Sequence, residues 1–490
     1  MSPEIARSTA RGVGWMIAAR GVVRLVDLVT LGVAARLLAP TDFGVFALAM
    51  VVVSFIDLLG SLSFDLSLLQ KADAERKHYD AAWTMTLIQR CVAAALTLAL
   101  ALPAAAIFQA DPIAPIMLAL AAGSLIEGLQ NVGLVDFRRQ LQFDREFSFE
   151  AARKGSAALA TLAGALVFED YRGLVCGVVA GKIAGVVLSY LMHPFRPRFG
   201  LSGGRELIHF SKWIFVSQSL SFLNHKFSQL AIGRLAGARL AGHYAVAYDL
   251  ANAATTEIVY PTSRAMFPAY ARIAELEDRV HTFFLAVLGL VAILAVPVGV
   301  GISATARPLV GVLLGGQWED TVQVMRVLAV GGAVNALLAC AGPVYPALGR
   351  PGVSAAVAGL VAAIQIPGTI VAVRQGGVLG AALFQAGVSV LFLPIVFSIA
   401  SRIMHLPARS MIRAVSRPVA AGAVMGLLLW AAEDLGRDLP VAVELGLKVL
   451  AGAGVYTAAL LALWRRAGRP AGPERWILDR LGRSAGVRSG

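Results

Sequence analysis

Charged residues are scarce in this sequence. Of its 490 residues, 15% are Asp, Glu, Lys or Arg and 58% are hydrophobic, whereas soluble domains carry about 25% charged residues. The charge is also unbalanced, since 43 Lys and Arg face 30 Asp and Glu. A net charge of +13 would suggest a nucleic-acid partner in a soluble chain. The hydrophobic content instead predicts a membrane protein that binds membrane lipids and no nucleic acid.

Cysteine is rarer still, with three residues in the chain. Cys91, Cys176 and Cys340 each lie inside an apolar run. Their positions provide neither a disulfide framework nor the paired spacing of a metal site. We predict no metal and no other cofactor.

Catalytic motifs are missing as well. The closest stretch to a phosphate-binding loop, "GVVAGKIAG" at 177–185, has Ile183 where a hydroxyl is needed and lies within an apolar run. No G-x-S-x-G or H-E-x-x-H is present, and no loop is long enough to fold a catalytic domain. The sequence therefore indicates a carrier and not an enzyme.

Long apolar runs fill most of the chain. About 20 residues in a helix cover the roughly 30 Å hydrocarbon core of a bilayer. The runs are continuously apolar and do not alternate, which favours helices over the strands of a barrel. We predict an all-α polytopic membrane protein with about 14 transmembrane helices. The predicted spans are 13–37, 43–69, 80–108, 112–137, 147–168, 173–193, 207–234, 241–269, 281–303, 322–348, 352–373, 378–401, 412–432 and 441–464.

Basic residues gather in alternate loops, which marks the cytoplasmic face. They begin with Arg7 and Arg11 before the first span and end with the tail from Arg465 to Arg488. The first 15 residues, "MSPEIARSTARGVGW", lack a small-residue cleavage site after a short apolar region. We predict that the first span is retained and that both termini are cytoplasmic.

A repeat relates the two halves of the chain. A shift of 198 residues aligns "ARLLAPTDFGVFALA" at 35–49 with "GRLAGARLAGHYAVA" at 233–247, and a shift of 208 pairs Glu127 with Asn335. A shared apolar alphabet could produce some matches by chance, but Trp, Arg and aromatic positions match too. Six helices separate the copies, so both cross the membrane in the same direction, as in two-bundle carriers.

This repeat predicts two parallel-related six-helix bundles and an accessory C-terminal helix pair. The predicted divisions are a cytoplasmic segment at 1–12, an N-terminal bundle at 13–193, a cytoplasmic linker at 194–206, a C-terminal bundle at 207–401, accessory helices at 410–464 and a basic cytoplasmic tail at 465–490.

Ionisable residues within the spans are functional candidates, because a charge in the bilayer is costly unless it faces a partner or a wet cavity. Guanidinium and ammonium groups suit phosphate oxygens, and carboxylates can titrate or bind a cation. The predicted lining of a cationic, substrate-binding cavity is Arg20, Arg24, Arg90, Lys182 and Lys226. The predicted ion-coupling residues are Asp27, Asp57, Glu127, Asp249 and Glu257.

The alternative for each of these residues is a buried ion pair that fixes helix packing. Six further charges lie near the cytoplasmic ends of spans and are predicted to be interfacial: Asp65, Asp136, Glu150, Arg153, Lys154 and Arg264. His225 is predicted to be a hydrogen-bonded helix neighbour and not a proton carrier.

Four stretches resemble a known family: "ARLLAPTDFGVFALA", "FRRQLQFDREF", "FSKWIFVSQSLSFLNHKFSQLAIGRLAGARLAGHYAVAY" and "YPALGRP". They are similar to blocks of the bacterial polysaccharide exporters, the lipid-linked oligosaccharide flippases of the multidrug/oligosaccharidyl-lipid/polysaccharide exporter superfamily. The resemblance runs from about residue 10 to about residue 405.

This resemblance implies alternating access around a central cationic cavity in the bacterial inner membrane. The implied cargo is an oligosaccharide on undecaprenyl diphosphate, delivered for O-antigen, capsule or exopolysaccharide assembly. A polysaccharide polymerase and other assembly proteins are the implied partners. A drug or peptidoglycan-precursor exporter is the alternative within the superfamily. A polymerase or ligase would need a long periplasmic loop, whereas the loop near 304–321 is short and mostly apolar.

Overall fold

The computed structural model describes part of the chain in detail. The described residues are 21–60, 68, 74–140, 142–202, 212–252, 266, 270, 277–434, 438–470, 473 and 474. Of the predicted site residues, Arg20 and Glu257 lie outside this set, as do Asp65, Arg264 and the tail beyond Glu474.

Helices make up nearly all of the described chain, and no strand occurs in it. The first helices are α1 (21–37), α2 (Pro40–Gly60), α3 (Arg76–Phe108), α4 (Ile113–Gly128), α5 (Val135–Arg139), α6 (Phe143–Phe168) and α7 (Arg172–Met192). The next are α8 (Lys212–Ala236), α9 (238–252), α10 (Glu277–Ala304), α11 (Ala306–Leu313), α12 (Glu319–Ala339) and α13 (Val344–Ala347). The last are α14 (351–376), α15 (378–404), α16 (Ala408–Ala431) and α17 (Val441–Arg466).

Each of the fourteen predicted spans overlaps one of these helices. Within the described residues, eight helices are long and apolar enough to cross a membrane, or nine if one bent pair counts as a single span. One of the eight, Pro351–Met404, has 54 residues and would be about 80 Å long as a straight helix, far beyond one bilayer crossing. The predicted all-α, multi-pass membrane fold is confirmed.

Gly377 divides that long stretch into α14 and α15. Its φ of 58° and ψ of −142° are not helical, and a positive φ favours glycine. A methyl group on Gly380 would lie 2.4 Å from the Ala372 carbonyl oxygen, and one on Gly368 would meet the ring of Phe384. These contacts place α15 antiparallel on α14, as the separate spans 352–373 and 378–401 predict.

The predicted span 112–137 is not one continuous helix. Its two parts, Ile113–Gly128 and Val132–Arg139, are bent by 69°. Asn131 lies at the bend, where its side-chain oxygen accepts a hydrogen bond from the Gly133 N–H at 2.9 Å. This local bond competes with continued helix and caps the new turn.

Tertiary bonds hold the bend in place. The Asn131 backbone N–H donates to Ser189 Oγ at 3.0 Å, and its Nδ2 donates to the Phe195 carbonyl at 2.7 Å. Val132 and Val135 are buried in the same cluster as Trp83. The backbone groups freed by the break therefore find partners on other elements, which a membrane protein requires.

Glycines bring α6 and α7 into close contact. On α7, Gly173, Gly177, Gly181 and Gly185 recur every four residues, and a methyl group on Gly177 would lie 1.8 Å from Thr161 Oγ1. Small residues at this spacing let membrane helices approach closely. The stretch that resembled a phosphate-binding loop is thus a helix-packing face.

The structure forms two compact units. The first unit is Met1–Phe215 with Ala236–Gly242, and the second unit is Val216–Leu235 with His243–Gly490. The residue bounds predicted for the bundles, linker, accessory helices and tail stay predictions.

The two repeated turns lie against each other within the first unit. A methyl group on Gly44 would be 1.8 Å from the Ala238 carbonyl oxygen, and one on Gly242 would be 1.9 Å from that of Pro40. The shift of 198 residues converts Pro40 into Ala238 and Gly44 into Gly242. The contact between the two turns is therefore reciprocal.

Candidate functional site

Four helices of the first unit contribute to one chain of ion pairs. Arg90 on α3 contacts Asp57 on α2 (Nη1 to Oδ1, 3.0 Å) and Glu127 on α4 (Nη2 to Oε1, 3.3 Å). Lys182 on α7 contacts the other oxygen of Glu127 (Nζ to Oε2, 2.9 Å). The four side chains are between 16% and 31% exposed. Two cations and two carboxylates thus form a partly buried and electrically neutral cluster.

Glycines on α4 make room for the two cations. A methyl group on Gly128 would lie 3.0 Å from Arg90 Cβ, and one on Gly123 would lie 3.1 Å from Lys182 Cδ. The side-chain stems of Arg90 and Lys182 therefore cross α4 where it has no side chain. This packing delivers both cationic heads to the carboxylate of Glu127.

A cavity of about 280 Å³ adjoins the cluster at the bend after α4. Irregular backbone at bilayer depth is tolerated where it is buried in protein or lines a cavity, and broken helices form transporter sites. Arg138 pairs with Glu146, and Arg153 pairs with Glu150, each at 2.6 Å. The charged and amide residues of the lining are Arg90, Glu127, Gln130, Asn131, Arg138, Glu146, Glu150 and Arg153.

Arg153 was predicted from the sequence to lie at the membrane–water interface. The structure places its side chain on this cavity, and its Nε is buried without a hydrogen-bond partner among the described residues. Its position near one end of a predicted span indicated an interfacial charge. The signal that could have identified it is Glu150, three residues earlier on the same helical face.

The predicted cations have different environments. Arg90 and Lys182 are paired with carboxylates, whereas Arg24 is half-buried and makes no ion pair with any described residue. In the second unit, Lys226 lies over the ring of Tyr248, with Nζ 5.5 Å from the ring centre, a cation–π contact. Asp249 is exposed on α9 in the same unit.

Asp27 is paired within the first unit. It contacts Lys154 Nζ at 3.0 Å and so ties α1 to α6. Lys154, which was predicted to be interfacial, is therefore the partner of a predicted coupling residue.

His225 is a hydrogen-bonded helix neighbour, as predicted. Its Nδ1 lies 2.7 Å from the Ser221 carbonyl oxygen one turn earlier on α8.

A second set of ion pairs was not predicted from the sequence. In the second unit, Arg326 Nη2 lies 2.5 Å from Glu433 Oε1, and Lys448 Nζ lies 2.5 Å from Glu444 Oε1. Lys448 also donates to the Glu433 carbonyl at 3.0 Å. These contacts tie α12 to the connection between α16 and α17, so we assign them to helix packing.

Comparisons with known proteins agree with this architecture. The lipopolysaccharide biosynthesis protein WzxC of Escherichia coli K12 is 23% identical over 393 residues, which cover 78% of each chain. The succinoglycan biosynthesis transport protein ExoT of Rhizobium meliloti 1021 is 24% identical over 67% of each chain. A structure of the lipid II flippase MurJ in an inward closed conformation matches with a TM-score of 0.68 and 11% identity, over 92% of this chain and 98% of that one. At this identity the structural match shows the fold alone.

A family model gives the most direct assignment. The model described as "Polysaccharide biosynthesis protein" matches residues 33–323. Those residues include both copies of the repeated turn and the whole ion-pair cluster. The match covers more than half of the length of this chain. This chain therefore belongs to the polysaccharide biosynthesis protein family.

Proposed function

We propose that this protein is a flippase that moves an oligosaccharide on undecaprenyl diphosphate across the bacterial inner membrane by alternating access. The direction is from the cytoplasmic to the periplasmic leaflet, and both termini are cytoplasmic. The observation that carries the proposal is the charged cavity beside a broken helix in a member of this family. The product would enter surface polysaccharide assembly, with a polymerase among the partners.

The physical problem for such a carrier is the polar head group. A diphosphate and several sugars lose large hydration energies in hydrocarbon, several kcal/mol for each polar group. A cavity with Arg90, Arg138 and Arg153 in its lining replaces part of that hydration with charge-assisted hydrogen bonds. The polyprenyl chain needs no such replacement and stays in lipid.

The neutral cluster gives a route for ion coupling. Without cargo, Glu127 holds Arg90 and Lys182 in a charge-balanced state, which lowers the cost of keeping cations partly buried. A diphosphate that takes over these cations leaves Glu127 and Asp57 without compensation. Uptake of a proton or another cation restores the charge balance. We therefore assign Glu127 the role of an exchange carboxylate.

Among the described residues, neither Arg24 nor Lys226 makes an ion pair, and Lys226 lies over the ring of Tyr248. Arg24 is therefore available for the cargo phosphate. In the native host, Arg24→Ala should abolish surface polysaccharide and cause lipid-linked repeat units to accumulate, while the protein remains in the membrane. Arg172→Ala is the matched control, because Arg172 is exposed and pairs with Asp170 beside it in the loop. Normal surface polysaccharide in the Arg24 variant would refute its role.

A second candidate function is export of a peptidoglycan precursor, the alternative that the sequence leaves open within the superfamily. The two candidates differ in the lipid that accumulates after gene deletion. Undecaprenyl-linked polysaccharide repeat units support our proposal, whereas accumulated lipid II supports the alternative.

A further inference from the structure

A second cavity, of about 290 Å³, lies entirely within the second unit. Side chains from α8, α12, α14 and α15 and from the segment around α13 form its wall. Its volume is that of roughly ten water molecules and close to the lower limit of small-molecule sites. It therefore suits a single ring-sized group.

The lining of this cavity is polar but nearly free of charge. Its polar side chains are Ser221, Asn224, His225, Asn335, Tyr345, Ser354, Gln365, Gln385 and Ser389. None of these described residues is Asp, Glu, Lys or Arg, and His225 Nδ1 contacts the Ser221 carbonyl. The cavity therefore offers hydrogen bonds without offering a partner for a phosphate.

Two of the polar atoms have no hydrogen-bond partner within the described chain. Asn224 Oδ1 and Ser354 Oγ are buried and unpaired. The Asn224 side chain is fixed in place, because its Nδ2 donates to the Ala358 carbonyl at 3.1 Å. Buried unpaired groups are costly, so their position on a cavity wall points to a hydrogen-bonding ligand.

Gln385 is also held in a fixed orientation. Tyr244 donates its hydroxyl hydrogen to Gln385 Oε1, which leaves the Gln385 amide nitrogen as a donor. Apolar side chains, among them the buried ring of Phe392, complete the wall. The cavity thus combines fixed neutral donors and acceptors with an apolar surface.

The repeat relates this cavity to the charged one in the first unit. A shift of 208 residues converts Glu127 into Asn335 and Phe137 into Tyr345. Each of these four residues lines the cavity of its own unit. Equivalent positions in the two halves thus line two cavities, and the second half carries an amide where the first carries a charge.

We infer that the second cavity receives one sugar residue of the cargo. A pyranose ring presents hydroxyl groups around its edge, which match Asn224, Ser354 and Gln385, and C–H faces, which match the apolar wall. A diphosphate would find no cation there, and a polyprenyl chain would leave the unpaired atoms unsatisfied. The inference rests on the proposed function and adds a specificity site to it.

The test uses the whole protein in lipid nanodiscs. The probes are undecaprenyl diphosphate and the same lipid bearing glucose, galactose or N-acetylglucosamine. Wild type should bind at least one of the sugar-bearing lipids about tenfold more tightly than the sugar-free lipid, the effect of two or so hydrogen bonds. The double variant N224L/S354A should lose this preference and keep its affinity for undecaprenyl diphosphate.

Ser219→Ala is the matched control. Ser219 also has a buried, unpaired hydroxyl on α8, but it does not line the cavity, so this variant should keep the preference. The milder variant Asn335→Ala, which should reduce the preference, replaces the double variant if that one unfolds.

The contrary outcomes are distinct. A wild type that binds all four lipids equally, or a preference unchanged in N224L/S354A and in Asn335→Ala, would overturn the sugar site while leaving the flippase proposal standing. Failure to bind any of the four lipids would overturn both.

Discussion

At the residue scale, four charges inside the spans of the first unit balance one another. Asp57, Arg90, Glu127 and Lys182 form a neutral chain, so no member can be changed alone without leaving a charge uncompensated. The sequence predicted that all four of these charged residues lie inside membrane spans. It could not predict their pairing, because depth along a helix does not fix which faces of different helices meet.

Replacing Arg90 should destabilise the protein. Arg90→Ala leaves Asp57 without its cation, and the partly buried position reduces the cost to about 1–3 kcal/mol. Combining it with Asp57→Asn should cost less than the sum of the two single changes, since the uncompensated charge is removed. Thermal unfolding of the purified variants measures this coupling. Additive effects would show that the 3.0 Å contact contributes nothing.

Glu127→Gln should change the coupling of binding to pH. Wild type should bind undecaprenyl diphosphate more tightly as the pH falls, because Glu127 takes up a proton when the phosphate displaces it from Arg90 and Lys182. The variant already carries a neutral group at this position, so it takes up one proton fewer on binding. For each unit by which the pH falls, its affinity should therefore rise by about tenfold less than that of wild type. Identical pH dependence in the two proteins would exclude Glu127 as the exchange carboxylate.

At the element scale, the break between α4 and α5 lines the charged cavity. The apolar runs were enough to predict the helices, because their length and continuity require membrane spans. The bend was not predictable, since Asn131 terminates the helix through partners as distant as Ser189 and Phe195. An apolar run that continues past such a residue looks the same in the sequence.

Asn131→Leu should straighten or loosen this bend. The variant loses side-chain bonds to the Gly133 N–H and the Phe195 carbonyl, which together contribute about 1–3 kcal/mol. We expect a lower melting temperature and loss of export, because Glu127 and Gln130 at the break would shift. Unchanged export with the same protein level would show that the bend is not required.

His193, beside the bend between α4 and α5, should make the stability of the protein depend on pH. Burial lowers the pKa of His193 below its usual 6.5, so the folded protein holds the ring neutral where the unfolded chain takes up a proton. Stability should therefore fall as the pH drops through about 6.5, where the unfolded state begins to bind that proton. Melting curves at pH 7.5 and 5.5 should show a larger loss for wild type than for His193→Gln. An equal loss would contradict the assignment.

Two glycines test the packing of α6 on α7. Gly177→Ala places a methyl group 1.8 Å from Thr161 Oγ1 and should reduce stability. Gly155→Ala is the matched control, because nothing lies within 4 Å of the added methyl group and alanine favours helix by about 1 kcal/mol. Melting temperatures should fall for the first and hold or rise for the second. A stable Gly177 variant would contradict close helix contact.

At the scale of the whole molecule, equivalent positions of the repeat line one charged and one neutral cavity. The repeat, visible as two matching turns, was predictable because the same glycine positions are needed where Gly44 and Gly242 meet Ala238 and Pro40. The division into a charged cavity and a neutral one was not, because it depends on side chains from several helices. We expect the first unit to determine binding of the phosphate and the second to determine the choice of sugar.

The central claim is that this protein carries a lipid-linked oligosaccharide across a bilayer by means of the cations Arg24, Arg90 and Lys182. Its most direct test is a translocation assay in vesicles that contain the purified protein and a fluorescent undecaprenyl-diphosphate oligosaccharide. A membrane-impermeant quencher reports how much lipid reaches the opposite leaflet. We predict rapid translocation by wild type and by Arg172→Ala, and translocation at the rate of protein-free vesicles for Arg24→Ala. Protein-free rates for wild type, or an Arg24 variant as fast as wild type, would contradict the account.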